Sequence, residues 1–174
     1  MNTTYLDDYF HKSPSFNFVK KRAAEKENSH SIAAEKDVNF QVVHLKNGST
    51  FEVDSMNAIS RVAWNGVIDA KTVKDLVKMG ADSVEYGSYN KLLLDRSNLL
   101  EFTTDARVWL KELLKNRASK IVDMVEKVAI IKATTLKGNV FSNFIGAAIK
   151  IVMPNLEMRE FDTEREAINW LTSH

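Results

Sequence analysis

The sequence contains no cysteine. A disulfide, a thiolate metal site and a cysteine nucleophile are all excluded, and the composition suits a reducing compartment. Neither charge is in excess: 24 Lys and Arg against 23 Asp and Glu give a formal net charge of +1. A dedicated nucleic-acid binder normally gathers basic residues on one face, so no nucleic-acid partner is expected. The short run "KNRASK" is the best local basic patch. A long apolar run is missing too. The most hydrophobic stretch, "NVFSNFIGAAIKIVM", contains Asn143 and Lys150 and falls short of the roughly 20 apolar residues of a membrane span. The opening "MNTTYLDDYFHKSPSF" has acidic residues where a secretory leader has basic ones. These absences point to a soluble, cytoplasmic protein.

Catalytic signatures are missing as well. His11, His30, His44 and His174 show neither His-x₃-His nor His-Glu-x-x-His spacing, so no metal site is expected. There is no Gly-x-Ser-x-Gly elbow, P-loop or Gly-x-Gly-x-x-Gly turn. Gly138 stands alone and cannot cradle a phosphate. Asp95, Glu101 and Asp105 lie near a strand end, where α/β sheets commonly bind ligands. Carboxylates in such places ordinarily cap helices or bond to loops. The expectation is a protein without catalytic residues or cofactor.

What is present is an ordinary globular balance, 44% hydrophobic and 27% charged over 174 residues, enough for one domain plus an extension. Residues 1–36 form the extension. Its "KKRAAEKENSHSIAAEK" is too polar to bury much surface, and Tyr5, Tyr9, Phe10, Phe16 and Phe18 precede that run. It reads as a flexible tail, or as a segment that docks by its aromatics.

Residues 37–174 carry the domain. Apolar alternation on either side of Asn47-Gly48 predicts a hairpin. "AISRVAWNGVI" adds a strand with imperfect alternation. Asp69 then caps a helix marked by Val73, Leu76, Val77, Ala81 and Val84, which Gly87 is placed to end. "KLLLD" is a short buried strand running out into a loop. The next helix carries Ala106, Trp109, Leu110, Leu113 and Leu114 on one side. "EKVAIIKA" is another strand. Val140, Phe141, Phe144, Ile145, Ala148, Ile149 and Val152 mark a helix that Pro154 closes. "EMREF" is the last strand, and Thr163 with Glu166 has capping-box spacing ahead of Ala167, Trp170 and Leu171. Strands alternating with helices imply βαβ units. The expected fold is α/β, a largely parallel sheet that opens with an antiparallel hairpin and has helices packed on it. Trp109 and Trp170 sit on apolar stripes and are expected to be buried anchors.

Between about Ser55 and Leu171 the chain resembles the STAS family of anti-sigma-factor antagonists, and most of all its small, uncharacterised bacterial members. The resemblance rests on the order of elements, the strand "LLLD", the helix after "FTTDA" and the ending "EFDTEREAINWL". It implies a STAS-like mixed sheet and a signalling domain that binds another protein or a second copy of itself. In signalling members a strand ending in Asp leads to an Asp-Ser-x-Gly turn, whose Ser a kinase phosphorylates. Asp95 matches the strand Asp and Thr104 the Ser. Thr103 replaces the acidic residue and Ala106 the Gly.

Thr103, Thr104 and Asp105 thus have two readings. A threonine at a helix start accepts unpaired backbone N–H groups, worth about 1 kcal/mol, and Asp105 faces the positive end of the helix. A phosphate on Thr104 would also be welcomed there, but it would crowd Asp105, and the cap is the preferred reading. The helix near residues 138–153 likewise has two. Phe141, Phe144, Ile145 and Ala148 read as a core face, or, through the resemblance, as the lining of a site for an apolar, lipid-like ligand.

Overall fold

Chain reversal begins at Gly48 in the computed structural model, which describes residues 41–87, 89–122, 125–135, 146 and 156–173. β1 (Gln41–His44) and β2 (Thr50–Asp54) pair antiparallel. Their loop is one residue longer than the two-residue turn that Asn-Gly most often makes. Gly48 donates its N–H to the Leu45 carbonyl at 3.0 Å and takes φ +82°, while Leu45 donates to Ser49 at 2.9 Å. This is the three-residue hairpin loop with glycine in the left-handed position. A Cβ at Gly48 would lie 2.5 Å from the side-chain amide of Asn65, so the loop needs glycine for space as well as for conformation.

β3 (Ile59–Ile68) pairs antiparallel with β2 and parallel with β4 (Lys91–Phe102). β5 (Lys127–Ile131) and β6 (Glu157–Phe161) continue the parallel half, giving one six-stranded mixed sheet in the order β1-β2-β3-β4-β5-β6. α1 (Ala70–Gly87) links β3 to β4, α2 (Thr104–Val122) follows β4, and α3 (Glu164–Thr172) follows β6. The α/β fold and its opening hairpin are those the alternation of periods implied.

The two faces of the sheet have separate cores. On one, Phe51, Val53, Val62 and Trp64 pack with Val73 and Leu76 of α1 and with Ala106, Trp109 and Leu110 of α2. On the other, Ile59, Leu93, Ala129 and Ile131 pack with Ala167 and Leu171 of α3. Val128 and Ile130 form a third cluster with Leu92, Leu94 and Met158, and a Cβ on Gly146 would sit 4.0 Å from the Met158 methyl.

Two expectations need correction. "KLLLD" does not end at Asp95, because the strand runs on to Phe102. The polar "RSN" is not a loop but the first of two bulges. Ala63 pairs with Asp95 while Asn65 pairs with Asn98, and Gly66 pairs with Leu99 while Val67 pairs with Glu101. Twelve residues of β4 thereby match ten of β3. Trp109 and Trp170 are half-buried, not fully enclosed. Each lies at the rim of its cluster under basic side chains, Lys74 over Trp109 and Lys127 and Arg159 over Trp170. The buried tryptophan is Trp64, edge-on to Phe102 at 5.4 Å. The extension over residues 1–36 and the residues Phe141, Phe144, Ile145 and Ala148 lie outside the described residues. Among the described residues, no helix is long and apolar enough to cross a membrane.

Candidate functional site: the start of α2 and the Arg61 network

β3 and β4 run parallel, so α1 and α2 start at the same end of the sheet. Asp69 caps α1, its carboxylate accepting the Thr72 N–H at 2.7 Å. Thr103 occupies the equivalent place ahead of α2, because its carbonyl accepts the Arg107 N–H at 3.0 Å. The cap position is therefore Thr103, and Thr104 is the first residue of the helix.

The Thr103 hydroxyl does not accept a first-turn N–H in the usual way. It donates to Asp105 Oδ1 at 2.5 Å, with the Ile68 carbonyl 3.3 Å away, while the Thr103 N–H donates to that same carbonyl at 2.9 Å. Asp105 supplies the acceptor that the threonine withholds. Its carboxyl is held below the usual carboxylate range by the Thr103 hydroxyl above all. Burial opposes this, and backbone N–H groups of Ala106, Asp105 and Ala70 add to the lowering. Ala70 is the first residue of α1, so one carboxylate serves two helix starts, where both macrodipoles favour negative charge. Asp69 is held low in turn, first by the Thr72 N–H, although the charge of Asp105 works against it.

Thr103, with its hydroxyl committed, is half-buried, while Thr104 is exposed. Val108 is exposed one helical turn beyond Thr104. Val67 and Leu100 are exposed near the carboxyl ends of β3 and β4, Val67 on the face of the sheet away from α1 and α2.

Asp95 belongs to a different place. It sits mid-strand and 7% exposed, and the strand rises about 20 Å between it and Phe102. Its side chain faces the α3 side, where Arg61 donates to it at 2.6 Å. Arg61 also reaches Glu164, in the first turn of α3, at 2.9 Å and Glu52 of β2 at 3.6 Å. One guanidinium thus ties three carboxylates from β2, β4 and α3. Burial works to lower the Arg61 pKa, but the bond to Asp95 and the charges of Glu164, Glu52 and Asp95 leave it raised. Burial likewise pushes the Asp95 carboxyl up, and it is outweighed by hydrogen bonds from the Ser97 hydroxyl, Arg61 and the Ser97 N–H. Those Ser97 bonds, 2.7 Å from the hydroxyl and 3.0 Å from the N–H, also pin the first bulge of β4. Arg96, inside the bulge, donates to Glu160 of β6 at 2.9 Å, and desolvation lowers its pKa.

The structure therefore joins Thr103 to Asp105, leaves Thr104 accessible beside them and separates Asp95 from all three. The sequence reading missed Arg61. The hairpin register, which sets Glu52 against Arg61, was its one available signal. Among the described residues, no group of three or more His, Asp or Glu side chains is placed to hold a metal ion. The chemistry on offer is a solvent-facing hydroxyl at a helix start with the exposed Val108 one turn on, and a charged tie between the sheet and α3. No family model matches this chain, and no curated protein or solved structure matches it.

Proposed function

We propose that this chain is a non-enzymatic, STAS-like interaction domain that docks a protein partner at the start of α2. The observation that carries the reading is the division of labour between the two threonines. Thr103 and Asp105 build the helix start, and Thr104 stands exposed on top of it. A surface that needs only Thr103 and Asp105 for its architecture leaves Thr104 open to a partner, with the exposed Val108 one turn along α2 as an apolar contact beside it. The strand-then-helix position of Thr104 also matches the phosphorylated serine of the family the sequence resembles. A phosphate there would meet the favourable end of α2 and the unfavourable charges of Asp69 and Asp105. Modification would then act by changing the charge presented to the partner.

The test uses the full chain as bait, beside Val108→Glu, Thr104→Ala and Thr104→Glu variants checked for unchanged unfolding. A protein retained by the parent and lost on Val108→Glu supports the docking face. A difference of tenfold or more in partner affinity between the Ala and Glu variants, about 1.4 kcal/mol, supports control through Thr104. Equal capture by all four chains removes this face from consideration. An apolar molecule extracted from the pure protein would favour ligand carriage instead.

A further inference from the structure

We infer that the outer edge of β1 is the seat of a second copy of this chain, paired strand to strand about a twofold axis at Val43. Leu45 and Ser49 form a hydrogen-bonded pair at the hairpin loop, and such pairs alternate along an antiparallel ladder. Val43 opposite Phe51 is therefore the next bonded pair, and Val42 opposite Glu52 and His44 opposite Thr50 are non-bonded pairs. The N–H and C=O groups of Val42 and His44 consequently point away from β2. Among the described residues the sheet has no further strand on that side.

The two edges of the sheet differ in their side chains. β6 reads Glu-Met-Arg-Glu-Phe, with Glu157, Arg159 and Glu160 all exposed. Charges of this kind are a common guard against edge pairing. β1 reads Gln-Val-Val-His and has no Lys, Arg, Asp, Glu or Pro, while Val42 is 39% exposed. A second copy fits this edge because the pairing is self-complementary. In the antiparallel arrangement Val42 of each copy exchanges both main-chain bonds with His44 of the other, and Val43 meets Val43 across the axis. No acidic or basic pair is forced together. Four residues per copy bury less than the 1,200 Å² or so of a standard stable interface, so the dimer is weak and concentration-dependent.

The edge geometry selects the variants. The Val42 N–H is not used within the sheet, so Val42→Pro removes an intermolecular donor from an edge position that tolerates proline. Val42→Lys installs the missing guard without touching the backbone, and it decides the matter if the proline variant fails to fold. Sedimentation equilibrium of the full chain from micromolar to millimolar should show mass rising toward twice the monomer, and either folded variant should stay monomeric. Because the sequence has no cysteine, Val43→Cys supplies a register test. Facing non-bonded residues have Cα atoms about 4.5 Å apart, within disulfide reach. Oxidation should therefore cross-link Val43→Cys into a covalent dimer and leave Val42→Cys monomeric. A parent chain that is monomeric at millimolar concentration overturns the proposal. So does a dimer that survives Val42→Lys, or amide protection of Val42 and His44 in a chain that stays monomeric, which would assign the edge to another segment.

Discussion

At the start of α3 the Thr163 hydroxyl accepts the Glu166 N–H at 3.3 Å and donates to the Glu166 carboxylate at 2.9 Å. At the start of α2 the Thr103 hydroxyl likewise gives its proton to a carboxylate, that of Asp105. Thr163 holds extended backbone ahead of its helix, and both threonine carbonyls accept the first helical N–H. The difference is where the remaining partners come from. The α3 start is complete within four residues of chain. The α2 start draws on Ile68 at the end of β3 and lends its carboxylate to Ala70. A self-contained cap fixes one helix, whereas a shared one fixes the angle and spacing between two.

Arg61 offers the hardest test of that contrast, because it holds the α3 start and has no part in the α2 start. Arg61→Ala leaves Asp95, Glu52 and Glu164 without their common cation. The site is a quarter exposed, so the loss should be about 2–3 kcal/mol, below that of a fully buried pair. Urea unfolding measures the loss, and hydrogen exchange should quicken in α3 and not in the first turn of α2. Equal acceleration at both starts would show that they are coupled. The same network fixes the sign of one pH effect. The Asp95 carboxyl lies below its ordinary value, so its stabilisation is present above the unfolded value near pH 4 and fades as pH falls through the native value. Asp95→Asn should flatten that acid limb.

Next in size come the threonines themselves. Thr163→Ala and Thr103→Ala should each cost about 1 kcal/mol. Aspartate removes the donor from both. Thr163→Asp keeps an acceptor for the Glu166 N–H but sets a carboxylate against that of Glu166, and should melt below the parent. Thr103→Asp places a carboxylate against Asp105 where a donor is needed, and should melt below Thr103→Ala. If Thr103→Asp melts above Thr103→Ala, the donor role of Thr103 is wrong.

Smaller again is the effect expected at Ser60, whose hydroxyl is fully buried without a hydrogen-bond partner among the described residues. Ser60→Ala removes an unsatisfied group of nearly the same size, so unfolding should move upward or stay within about 0.5 kcal/mol of the parent. Thr104→Ala should move it least, within about 0.5 kcal/mol, since the exposed hydroxyl is not the cap.

These contrasts track what the sequence made legible. Thr163-x-x-Glu166 is a local pattern whose partners are four residues apart, and it formed as its spacing implied. So did the Asp69 cap, the hairpin at Gly48 and the alternation of strands with helices. The sequence put the cap at Thr104 and not Thr103 because the Thr103 N–H is held by Ile68, whose position follows only from the pairing of β3 with β4. Arg61 gathers Glu52, Asp95 and Glu164 from three elements, and no spacing along the chain announces such a meeting. The stripes that carry Trp109 and Trp170 gave the inward side of each helix correctly. They carry no information on depth, which depends on the basic residues lying over each ring.

The two bulges of β4 act as switches of parity. Along an unbroken strand, residues facing α1 and α2 would all be even-numbered, as Leu92 and Leu94 are. The extra residue in the first bulge reverses the alternation, so Leu99 turns inward and Asn98 outward; the second restores it, so Phe102 turns inward beside Trp64. Deleting one residue within a bulge would close that bulge and leave the partners beyond it on their present faces, whereas deleting one outside the bulges would slip the pairing by one and drive polar side chains into the core. Deleting one from each would leave Phe102 facing inward and shorten the strand by two. In lineages of this domain, length changes in β4 should therefore collect at the two bulges, and a deletion elsewhere in the strand should be rare.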